Sequence, residues 1–121
     1  MDYDDEYLEQ QDLLREQLRQ QLFEYGLSGN LIEFNRTLNE LFDTEGKDDD
    51  YEEAITDDLN CELFDNVAER GHLDICKRII ELIEQYHGEE YRKELVEQYI
   101  ENITTHPNPR SVHVLAWLRT L

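Results

Sequence analysis

Two cysteines, two prolines and five glycines in 121 residues narrow the architectures open to this chain. Cys61 and Cys76, both expected on apolar helix faces, fall short of the framework that staples small secreted domains together. So little proline and glycine favours helices over short strands joined by many turns. No stretch sustains the roughly eighteen apolar residues that a membrane span needs. The opening, MDYDDEYLEQQ, has neither the basic nor the apolar region of a secretory leader. These absences predict an intracellular, cytoplasmic protein without a membrane segment.

Positive charge is scarce as well. Eleven Lys and Arg face 30 Asp and Glu, a formal net charge of −19. The imbalance is uneven: residues 1–60 carry 19 acids and 4 bases, residues 61–121 carry 11 acids and 7 bases. Nucleic acid and anionic membranes would both be repelled, which argues against direct binding to either. The complementary partner is a protein with a Lys/Arg surface.

What the chain does have is apolar periodicity. At 39% hydrophobic, with seven Tyr, four Phe and one Trp, it can fill one core, so a single helical domain over residues 1–121 is expected. Tyr7, Leu14, Leu18, Leu22 and Tyr25 recur at helical steps, with Leu8 and Phe23 widening the stripe, and predict a first helix from about Asp5 to Leu27. Gly26, Ser28, Gly29 and Asn30 supply a turn before a second helix from about Leu31 to Asp43. Residues 43–53, DTEGKDDDYEE, contain no aliphatic side chain and read as an exposed acidic loop. Tyr51, Ile55, Leu59 and Leu63 then restore the pattern. Thr56-Asp57-Asp58 offers a cap inside that run, leaving open whether residues 51–70 form one helix or two. Gly71-His72 closes it. The following helix, with Leu73, Ile75, Cys76, Ile79, Ile80, Leu82, Ile83 and Tyr86, is apolar around more than half its circumference and belongs at the centre. His87-Gly88 ends it, and a helix from about Glu89 to Thr104 turns Tyr91, Leu95, Val96, Tyr99, Ile100 and Ile103 inward. Pro107 and Pro109 break the ladder before a last helix to Leu121.

The chain also repeats. Residues 22–42, LFEYGLSGNLIEFNRTLNELF, lie over residues 63–83, LFDNVAERGHLDICKRIIELI, at a constant offset of 41. Residues 99–121 match a third time with three residues inserted at the turn. Self-similarity of this kind is the mark of a helix-pair array.

Within that repeat, Val67-Ala68, Gly71-His72 and Leu73-Asp74-Ile75 in residues 67–81, VAERGHLDICKRIIE, resemble the middle of an ankyrin repeat. The small residues end a first helix, Gly-His makes the turn, and the apolar-acidic-apolar run opens a second helix. Glu62-Leu63-Phe64-Asp65 stands where that family has Thr-Pro-Leu-His, and the connections exceed its period of about 33 residues. The resemblance implies three helix-turn-helix pairs, stacked as a short ankyrin-like array; a compact helical bundle is the other all-α arrangement these helices allow. It further implies protein recognition without catalysis.

No motif for chemistry competes with that implication. No frame in residues 43–58 meets the EF-hand spacing. His72 and Cys76 lack the further ligands that zinc needs, Ser28 and Ser111 lack a nucleophile elbow, and there is no Gly-rich phosphate loop. No enzyme activity and no cofactor are therefore expected. The acidic segment is the candidate docking surface: Asp43, Glu45, Asp48, Asp49, Asp50, Tyr51, Glu52, Glu53, Asp57 and Asp58. An acidic inhibitor or adaptor that occludes a basic surface on a partner, an enzyme among the candidates, is the function these features suggest. A mimic of nucleic acid is the second, since carboxylates can stand in for phosphates. The apolar last helix, with Val114, Trp117, Leu118 and Leu121, also allows a homodimer.

Overall fold

The computed structural model describes residues 3–43 and 49–121, with the side chains of residues 3–9, 11 and 49 left aside. Among the described residues the chain is all-helical, with no strand. In order come α1 (Tyr3–Ser28), α2 (Leu31–Phe42), α3 (Asp49–Asp58), a π turn (Leu59–Leu63), α4 (Phe64–Glu69), α5 (Leu73–His87), α6 (Glu89–Thr105), a 3-10 turn (Pro109–Ser111) and α7 (Val112–Leu118). Consecutive helices pack on one another: α1 on α2, α4 on α5, α5 on α6 and α6 on α7.

Two of the connecting turns share one backbone. Gly29 and Gly71 both sit at φ +76°, in the left-handed region. The next residues, Asn30 and His72, have matching angles (φ −86°, ψ 84° and φ −84°, ψ 76°) and each begins a helix. The bonds match as well: Asn30 N–H to Tyr25 O at 3.0 Å, and His72 N–H to Val67 O at 3.1 Å. The turn thus recurs at 42 residues, whereas the gapless overlay at 41 pairs Asn30 with Gly71. The π turn accounts for the extra residue. There the Phe64 N–H reaches back to Leu59 O, five residues away instead of four. Leu18 and Leu59, both buried, still stand 41 apart before it; Gly26 and Ala68, both buried, stand 42 apart after it. The run from Asp49 to Glu69 is helical throughout, so Thr56 does not cap a new helix; its hydroxyl donates to Glu52 O within α3.

The turns lie against one another. His72 Nε2 donates to Leu27 O at 3.0 Å, and Arg70 reaches the same carbonyl at 3.1 Å. A methyl group on Gly71 would meet Arg110 O at 2.4 Å. The first, second and third turns therefore form one row.

Behind that row is a single core of Leu22, Phe34, Leu38, Leu41, Leu59, Leu63, Phe64, Ile75, Ile79, Leu82, Ile83 and Leu118, all essentially fully buried. Each contributes about 1.5–3 kcal/mol by leaving water. The central place expected for α5 is found, since it touches helices on several sides and buries Ile75, Cys76, Ile79, Ile80, Leu82 and Ile83.

Several expectations are corrected. Leu14 and Tyr91, assigned to inward stripes, are exposed, and Cys61 is exposed rather than set on an apolar face. α3 starts at Asp49, so residues 49–53 are helix where an exposed loop was expected. The side chains of Tyr7 and Leu8 lie outside the described residues, as do residues 44–48, the remainder of the expected loop. No helix among the described residues is long and apolar enough to cross a membrane.

Candidate partner-binding surface

Several of the acidic residues singled out by sequence have partners within the fold. Glu52 accepts a hydrogen bond from the Tyr86 hydroxyl at 2.6 Å. Asp57 accepts from His87 Nε2 at 2.8 Å, while the other ring nitrogen lies 3.5 Å from Glu53. The same imidazole rests against the Tyr91 ring at 4.7 Å. Asp58 pairs with Arg19 at 3.2 Å, and Arg19 also holds Glu62 at 2.9 Å. Burial pushes the Asp58 carboxyl up despite that guanidinium. Tyr51 is half-buried beneath Arg15, 4.7 Å from its ring centre.

These contacts fasten α3 to α1 on one side and to the end of α5 on the other. Glu52, Glu53, Asp57 and Asp58 therefore each have a partner within the fold. Asp43 is exposed at the C-terminal cap of α2, and Asp50 is exposed on the first turn of α3. Asp49 opens α3, with its side chain undescribed; Glu45 and Asp48 lie outside the described residues.

A different acidic surface runs across α1, α4 and α6. Glu16, Arg19, Gln20, Phe23 and Glu62 line a shallow cleft of about 220 Å³ between α1 and the π turn. Farther along, Asp65, Glu69, Asn102, Ile103, His106 and Ser111 line a cleft of about 290 Å³ between α4, α6 and the 3-10 turn. Asp65 and Glu69 stand one helical turn apart on the outward side of α4. Neither forms an ion pair among the described residues, although most Arg and Lys side chains do so or lie over an aromatic ring. Partial burial raises the Asp65 carboxyl above its ordinary range, and the charge of Glu69 raises it further.

Beneath the cleft Tyr99 stacks on Phe64 with ring centres 3.8 Å apart. Its hydroxyl is buried without a hydrogen-bond partner. Burial, and then the Asp65 carboxylate, push that phenol up. Among the described residues no Lys or Arg pairs with these two carboxylates, and Ile103 gives the cleft an apolar side. A Lys or Arg side chain would supply the missing cation.

Burial pushes the Cys76 thiol up to about 12, which disfavours the thiolate nucleophile. No group of three His, Cys, Asp or Glu among the described residues is placed to hold a metal ion. Asp65, Glu69, Asn102 and His106 were not singled out from sequence. The only signal was the Asp-x-x-x-Glu spacing on a short helix, which is common on solvated faces. The chain matches no family model, and no curated protein or solved structure is similar to it at a significant level.

Proposed function

We propose that this chain is a non-enzymatic binding module built of ankyrin-like helix pairs, which occludes a basic surface on a partner protein. The face that meets the partner is formed by α1, α4 and α6, with Asp65 and Glu69 at its centre. The observation that carries this reading is their lack of any cation in a cleft where Asp65 is already partly desolvated. A partner's Lys or Arg entering there gains a charge-assisted hydrogen bond without first displacing an internal ion pair. Phe23 and Ile103, each beside one of the two clefts, supply apolar anchors that charge alone lacks. Support for the repeat comes from the turn shared by Gly29-Asn30 and Gly71-His72, and from the row those turns make with Arg110.

The test begins with partners captured at low salt, identified, and measured for association rate against ionic strength. Reversing both charges, Asp65→Lys with Glu69→Lys, is expected to slow association about tenfold and to flatten its salt dependence. Reversing Asp48, Asp49 and Asp50 together is expected to do less. If that triple variant is the one that slows binding, the acidic segment around α3 is the docking surface instead. Displacement of the partner by duplex DNA would identify its basic surface as a nucleic-acid groove, the outcome that turns occlusion into mimicry.

A further inference from the structure

The exposed large apolar side chains are not spread evenly. Among the described residues they are Leu13, Leu14, Ile32, Tyr91, Val112 and Leu121. All of them belong to the first pair, α1–α2, or to α6 and the segment from Val112 onward. None belongs to α4–α5, which has a neighbouring pair on each side. The two outer pairs therefore each keep apolar surface of the kind that the middle pair buries.

The two surfaces differ in charge. Between α6 and α7 lies a cleft of about 280 Å³ lined by Val96, Ile100, Leu118 and Leu121, with Arg92, Lys93 and Arg119 around them and Glu97 as its one carboxylate. Cations line this cleft although the chain as a whole carries a net charge of −19. Arg92 and Lys93 share Glu89, and Arg92 also pairs with Glu84, whereas Arg119 has no ion pair among the described residues. At the other end α1 presents Leu13, 57% exposed, and Leu14, 43% exposed, with exposed Asp12 before them and exposed Glu16 after Arg15, whose guanidinium lies over the Tyr51 ring. An apolar floor rimmed by cations thus stands opposite an apolar ridge flanked by acids.

We infer that these are the two halves of one contact, in which α1 of one copy seats in the α6–α7 cleft of a second copy. Leu13 and Leu14 enter against Ile100 and Leu121, and Asp12 or Glu16 meets Arg119. The contact is heterologous, because the two surfaces are different parts of the molecule, so it extends head to tail instead of closing as a symmetric dimer. Long-range repulsion between two strongly acidic copies opposes it. It therefore forms at physiological ionic strength, where a screening length of about 8 Å leaves the local pairs dominant.

Sedimentation equilibrium of the full chain at that ionic strength, over a range of concentrations, tests this. The mass is expected to rise above the 14.6 kDa of one chain without levelling at twice that value. Two variants separate the halves: Leu13→Asp spoils the ridge and leaves the cleft, while Arg119→Glu spoils the cleft and leaves the ridge. Each alone is expected to remain monomeric with an unchanged circular dichroism spectrum. Mixed in equal amounts, they should form a dimer and stop, because only one sound ridge and one sound cleft can meet. A constant monomer mass for the unaltered chain overturns the inference. So does self-association of either variant alone, which would point to a symmetric contact.

Discussion

Gly71 illustrates how much of this fold depends on single atoms. Its φ of +76° excludes most side chains on conformational grounds, and an added methyl would stand 2.4 Å from Arg110 O. Gly29 has the same φ, but its added methyl would meet the His72 ring, at 2.6 Å. A ring can swing aside at the expense of its bond to Leu27 O; a backbone carbonyl in the next turn cannot. Gly71→Ala is therefore expected to destabilise by about 2 kcal/mol or more, and Gly29→Ala by about 1–2 kcal/mol. Urea midpoints at unchanged slope measure both, and equal losses would mean that strain alone, without the neighbouring turn, sets the cost. The Gly-His pair was legible in the sequence as a turn. The second task of His72, bonding to Leu27 O in the preceding pair, was not, because nothing local to residue 72 encodes a partner 45 positions away.

At the scale of elements, α2, α5 and α6 were readable because each is punctuated: Asn30, His72 and Gly88 precede them, and their apolar stripes are continuous. The start of α3 was not. A run of aspartates reads as loop when only local repulsion is counted, yet contacts from outside the run hold the helix in place. Ile55 and Leu59 anchor it in the core, Arg15 covers Tyr51, Tyr86 binds Glu52, and His87 lies between Glu53 and Asp57. His87→Ala removes the last of these at a site where the ring is mostly buried and both carboxylates are about half exposed. The expected cost is about 1 kcal/mol. It should appear as faster amide exchange confined to residues 49–58, with α5 unaffected before its last turn. Uniform acceleration across the chain would show that the clamp supports the whole core rather than α3. The offset of 41 was misjudged at the turn for a related reason: a π turn is a single extra residue, which apolar spacing alone absorbs without trace.

For the whole molecule, the excess of carboxylates was plain in the sequence, but not which of them are already committed. Glu52, Glu53, Asp57 and Asp58 have partners within the fold, while Asp65 and Glu69, four apart on a short helix, form no ion pair among the described residues. Net charge of −19 on one small domain means that self-repulsion opposes folding, and added salt should relieve it. Raising sodium chloride from about 0.02 to 0.5 M is expected to stabilise by about 1 kcal/mol, a rise of several degrees in Tm. A fall in Tm would mean that internal pairs such as Arg19 with Asp58 and Glu62 outweigh the general repulsion. The row of turns has one more consequence. Leu27, His72, Gly71 and Arg110 bring the three turns together along one edge, which leaves the opposite helix ends as the open edge. α3 lies at that open edge and grips both α1 and the end of α5. It is the clasp, and loosening it would change the curvature of the acidic face before it unfolded anything.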